Sequence, residues 1–254
     1  MAPAATIAAY TLKEALRNRL LWVLGVLAAG AVGVAGFLGE LALTDSAALQ
    51  VALLAAVLRL SCVFLVAAFV VTSMVREAND KGLDLLLALP YPRATYVAGK
   101  LLGFCALALL PATLFGLLAL LLAPPLQCLL WSVSLLCELW LVAAFGLLCV
   151  LTLTQVVPAL AATFGFYLLA RALGGLQLLG HAQEQAASSG QRLLGNAIDA
   201  LAFVLPRLDT FTRTEWLVYH DGKAADLGAL LAQTALYLAL LGAAALFDLY
   251  RKEL

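Results

Sequence analysis

The sequence predicts an all-α integral membrane protein with six transmembrane helices, and three observations lead there. Of its 254 residues, 65% are hydrophobic and only 12% are charged, whereas a soluble domain is usually about one quarter charged. Mean hydropathy is +1.03. Apolar stretches recur along the chain with short polar gaps, each close to the roughly 20 residues that a helix needs to cross a bilayer core. The expected organisation is a single polytopic domain over 1–254, without a separate soluble domain.

Formal net charge is zero, from 15 basic and 15 acidic residues, so no global basic field points to a nucleic-acid partner. Cys62, Cys105, Cys128, Cys137 and Cys149 all fall in apolar segments and form no CxxC pair. They read as small buried hydrophobes. His181 and His220 lack further clustered ligands, so no metal site is expected. The first twenty residues lack the layout of a cleaved signal peptide and are expected to be retained.

The elements follow in order. Within 1–19, Ile7, Leu12, Ala15 and Leu16 oppose Lys13, Glu14, Arg17 and Asn18 at helical spacing. That pattern is too polar to cross lipid and predicts a helix lying in the interface. Crossings are expected at about 20–38, 50–75, 101–123, 128–153, 157–179 and 227–247. Pro124-Pro125 closes the third, and Pro111 and Pro158 are expected to kink or start their helices. Between the fifth and sixth lies a polar segment, 181–226, expected to hold two brief surface helices, with a stop at Leu205-Pro206.

Lys and Arg in the short loops set the orientation. Placing the N-terminus inside puts Lys13, Arg17, Arg19, Arg76, Lys81, Arg93, Lys100, Arg251 and Lys252 on the cytoplasmic face. Only Arg192, Arg207, Arg213 and Lys223 remain outside. Both termini are then cytoplasmic, as six crossings require.

The loop at 76–100 is too long for a tight turn, and its middle is too apolar for a free linker. Asp80 can cap a short helix that Pro90 ends at Leu89. Leu83, Leu86, Leu87 and Leu89 on such a cytoplasmic helix suit a groove on a partner, or alternatively the headgroup layer. The run Arg76-Glu77, Gly82, Leu85 to Pro90, Arg93 and Gly99-Lys100 resembles the signature around the coupling helix of type 2 ABC exporter permeases. Glu14 and Arg17 on the first helix, and the Leu205 to Phe211 run reading LPxLDxF, extend the likeness over nearly the whole chain. The general layout looks closest to the permeases associated with maturation of nitrous oxide reductase.

That resemblance implies a single exporter transmembrane domain in a bacterial inner membrane, dimerised and bound to two ATPase subunits that hold the ATP and Mg. Glu77, Asp80, Gly82, Leu83, Leu86, Leu87, Pro90 and Arg93 would then couple the chain to its ATPase. Gly99-Lys100 is followed by Leu101 and lacks the earlier glycine of a phosphate-cradling GxxxxGK[ST] loop, so no cofactor is expected in this chain. The alternative is an assembly or maturation factor using the same fold for a mechanical step on a partner protein. A membrane-embedded enzyme would need converging catalytic groups, and Glu138 lacks a histidine or second carboxylate beside it in the pattern.

Arg59, Glu138 and Arg171 fall well inside crossings. A charge there costs at least about 2.5 kcal/mol, so pairing across helices is expected. The cluster either pins three helices together or offers its surplus positive charge to an anionic substrate or lipid headgroup. Gly30, Gly33, Gly36 and Gly39 repeat every three residues in the first crossing, and Ala161 and Gly165 share the small-xxx-small spacing of a close helix contact. The resemblance implies that these two helices form the dimer seam; packing within one subunit is the other reading.

Overall fold

The computed structural model describes residues 3–18, 20–41, 46–80, 92–121, 123–182 and 189–251. Among the described residues 90% are helical and none lies in a strand. In order come α1 (Pro3–Arg17), α2 (Leu20–Leu41), α3 (Ser46–Asn79), α4 (Arg93–Ala119), α5 (Pro125–Leu153), α6 (Val156–Ala182) and α7 (Ser189–Val204). A 3-10 turn (Leu208–Thr210), α8 (Glu215–Val218) and α9 (Ala224–Arg251) follow. Among the described residues five helices, α3, α4, α5, α6 and α9, are long and apolar enough to cross a membrane. The pair formed by α1 and the 22–34 stretch of α2, bent by 58°, makes a sixth if taken as one broken span.

The bundle is organised around α5. Pro125 opens it, where its missing N–H would have had no helical partner anyway. Thr154, in the left-handed region at φ 57°, closes it and returns its N–H to the Val150 carbonyl at 3.0 Å. The chain reverses there, and α6 starts within two residues with Pro158 in its first turn. Trp131, Leu135, Leu139, Leu141 and Val142 of α5 are fully buried among α3, α4, α6 and α9. Water does not drive this packing in lipid; close van der Waals fit does. Leu24, Ala28 and Ala31, one face of α2, are buried where that helix lies along α3.

One sequence expectation changes. The polar loop of 76–100 contracts to 80–92, because α3 continues to Asn79 and α4 already begins at Arg93, after Pro92 in extended conformation. Arg76, Glu77, Arg93 and Lys100 are therefore helical residues. Their polar groups are satisfied by other helices, which removes the need for a solvated loop. Helix α1 packs along α4. The proposed helix of 80–90 falls almost wholly outside the described residues, with Gly82, Leu83, Leu86, Leu87 and Pro90.

Candidate functional site

At one end of the bundle, the helices flanking 81–91 are tied together. Glu77, near the end of α3, pairs with Lys100 of α4, whose side chain is only 6% exposed. The Tyr96 hydroxyl donates to Glu77 Oε1 at 3.3 Å. A buried pair of this kind is stable only while both partners are present. Arg93, the first residue of α4, donates to the Leu249 carbonyl at 2.8 Å and lies over the Tyr250 ring, adding α9 to the same end. Asp80 terminates α3, its N–H bonding the Arg76 carbonyl at 2.9 Å.

The first helix joins this end through two glycines. A Cβ on Gly99 would stand 2.9 Å from the Ala4 carbonyl oxygen and from Ile7 Cβ, and one on Gly103 would stand 2.8 Å from Thr11 Cβ. Gly99 and Gly103, four apart on one face of α4, form the groove in which α1 rests. Glu14 of α1 then receives the Ser73 hydroxyl at 3.0 Å and pairs with Arg76. Arg76 is more than half exposed, so that last pair adds at most about 1 kcal/mol. A cleft of about 460 Å³ opens here, lined in part by Tyr10, Glu14, Arg76, Asp80 and Lys100. Gly103→Leu is expected to overpack the α1 seat by about 1–3 kcal/mol and to speed limited proteolysis after α1. Gly228→Leu, where a Cβ meets nothing within 4 Å, should leave the cleavage rate as in the parent.

The second group lies deeper in the bundle. Arg171 of α6 pairs with Glu138 of α5 at 3.2 Å, and the Glu138 side chain is fully buried. Arg59 of α3 does not contact Glu138 directly; its Nη1 donates to the Thr212 carbonyl at 3.2 Å. The third partner of the cluster is thus the segment after α7. Arg171 Nη1 faces the carbonyl oxygens of Leu208 (2.9 Å) and Phe211 (3.1 Å) and the Thr212 hydroxyl (3.1 Å). The Thr212 hydroxyl donates to Glu138 Oε2, and the Thr212 N–H donates to Ser134 Oγ at 2.8 Å. Buried Tyr167 lies beside all three charges.

This segment was expected at the surface, yet it is inserted. Arg171 stands eleven residues before the end of α6 at 182, about 16 Å along the helix, and the 208–212 backbone reaches it. Leu208, Phe211 and Thr212 are fully buried. Thr212 adopts φ 42°, an uncommon conformation for a non-glycine residue, held by the four hydrogen bonds just described. Trp216 and Leu217 of α8 are buried against α3 and α5, and Gln127 of α5 donates to the carbonyls of His220 (3.0 Å) and Gly222 (3.2 Å). Residues 208–222 therefore form a plug over α3, α5 and α6.

The glycines are placed differently. A Cβ at Gly25, Gly30, Gly33, Gly36 or Gly165 would meet nothing within 4 Å, and Ala161 is exposed. These faces make no close contact within the described part of the subunit. Beside them, Trp22, Val23, Val26 and Leu27 line an open apolar groove. Gly39 belongs to α2 by its backbone.

Sequence reasoning named the three charges, Glu77, Arg93 and Lys100, and missed Thr212, Ser134, Tyr96, Ser73 and Gly103. Two signals were available. Ser134 and Glu138 share a helix face at i,i+4, and Gly99 and Gly103 repeat the small-xxx-small spacing.

Long apolar helices, and a tied pair of helices flanking a short connection, define a polytopic helical membrane protein. Residues 5–248 match the family described as ABC-2 family transporter protein. The chain belongs to that family, and the family implies a partner ABC ATPase subunit. A search of curated proteins returns no match.

Proposed function

We propose that this chain is the permease subunit of an ATP-driven exporter, working as a homodimer with two copies of a separate ATPase that holds ATP and Mg. In this reading both termini and the 80–92 connection face the cytoplasm of a bacterial inner membrane, following the excess of Lys and Arg on that side. The observation that carries it is the clasp between Glu77 and Lys100, closed by Tyr96, at the base of the leucine-bearing segment. A push on 81–91 would be delivered to α3 and α4 together, and through Gly99, Gly103 and Glu14 to α1. Helix α3 is continuous from the clasp to Arg59, eighteen residues or about 27 Å away. Movement at the clasp is thereby linked to the cluster beneath the plug. The exposed glycine faces of α2 and α6 supply the seam with the second copy.

Leu86→Asp with Leu87→Asp is expected to abolish recovery of the ATPase with the affinity-purified chain, because an apolar groove rejects buried carboxylates. Undiminished recovery would remove the coupling role from this segment.

A further inference from the structure

The plug occupies its site in the manner of a bound ligand. Two partly buried arginines face one fully buried carboxylate, and backbone oxygens of the plug accept part of their remaining hydrogen bonds. The carbonyls of Leu208, Phe211 and Thr212 each accept from Arg59 or Arg171. The two N–H groups of Arg171 Nη1 face four oxygens within 3.2 Å, counting Glu138 Oε1 and the Thr212 hydroxyl. Arg59 Nε is buried and has no acceptor. The same stretch inserts the fully buried side chains of Leu208 and Phe211. Taken together the plug presents a cluster of oxygens to two cations and an apolar body to the surrounding helices.

We infer that Arg59 and Arg171 form a binding site for an amphipathic anion, a carboxylate or phosphate head on an apolar body, which the 208–212 backbone fills at rest. A transport cycle that withdraws the plug leaves a net positive pair in a low-dielectric interior, where it must find new acceptors. An anionic head supplies them with stronger, charge-assisted hydrogen bonds than neutral carbonyls can. It also gives Arg59 Nε the acceptor it lacks. The apolar body takes the volume vacated by Leu208 and Phe211. Plug and ligand are therefore mutually exclusive, and the resting site is shut without a lost charge pair. This inference rests on the transporter reading above and names the chemistry of its cargo.

The plug can be locked to test this. A Cβ on Gly174 of α6 would stand 3.3 Å from Asp209 Cβ, near the roughly 3.5–4.5 Å spacing of a disulfide. The experiment uses Gly174→Cys with Asp209→Cys, in the chain freed of its five native cysteines and purified with its ATPase. Radiolabelled palmitate, hexadecanol and inorganic phosphate are the probes. Expected results are palmitate binding in the reduced protein, none after oxidation, and recovery on adding a thiol. Palmitate should also slow disulfide formation. Arg59→Gln should weaken palmitate binding by about tenfold or more, the worth of one hydrogen bond to a charged group. Hexadecanol should not compete.

Equal palmitate binding by the locked and reduced forms, or competition by hexadecanol as strong as by palmitate, would overturn the inference. Competition by inorganic phosphate alone at equal concentration would replace an amphipathic ligand by a free anion, and would equally overturn it. The locked form keeps the result decisive should Arg59→Gln not fold. Presence of the ATPase in the same preparation is scored separately, so loss of the coupling reading and loss of this one are told apart.

Discussion

Glu138→Ala is expected to be among the most damaging single changes in the chain, lowering stability by about 3–5 kcal/mol, the range for breaking a buried ion pair by removing one partner. Glu138 is fully buried and is the counter-charge within reach of Arg171. Its removal also takes the acceptor from the Thr212 hydroxyl, so the plug loses one of the four bonds that hold its strained residue. Glu138→Gln keeps the side-chain volume and an acceptor, and should fall between the parent and the alanine variant. The thermal midpoint of the purified chain in detergent ranks the three. An alanine variant as stable as the glutamine one would show that the pair carries no such weight.

Lys100→Met should cost a comparable amount, and for the same reason: Glu77 would be left charged and unpaired beside Tyr96 in a largely buried position. The informative member is the double variant Glu77→Gln with Lys100→Met. Removing both charges relieves the stranded carboxylate, so the double variant should be more stable than Lys100→Met alone, with a coupling of about 0.5–3 kcal/mol, the range for residues in contact. It should nonetheless lose ATP-driven function, because the clasp that ties α3 to α4 is gone. A strictly additive cycle would mean that the two side chains do not act as a pair.

Much of this arrangement was legible in the sequence because lipid imposes simple constraints. Six apolar stretches could be counted without knowing how they pack, since a bilayer needs helices of a fixed length, and the described residues hold five such helices, or six if the bent pair of α1 and α2 is one span. Arg59, Glu138 and Arg171 stood out because charges are costly there. The partners were not legible. Thr212 is one polar residue in a polar segment, and nothing in its local pattern says that the chain turns back into the bundle at that point. Its role depends on contacts 74 and 153 residues away in sequence, to Glu138 and Arg59.

Helix ends misled for a related reason. Polar residues at 76–77 and 93–100 look like loop when water is their only available partner. The structure instead supplies Glu14, Tyr96, Leu249 and the Glu77–Lys100 pairing, so α3 and α4 extend past the apolar stretches. Gly99 was read as part of a signature, and its physical use, admitting α1 against α4, required knowing that α1 docks there.

The most direct measurement places a photo-activated crosslinking residue at Leu86 of the chain in intact cells. A covalent adduct with an ABC ATPase polypeptide is expected, diminished when the neighbouring Leu87 is changed to Asp. Adducts with phospholipid alone would contradict the assignment of this segment as the point where an ATPase drives the permease.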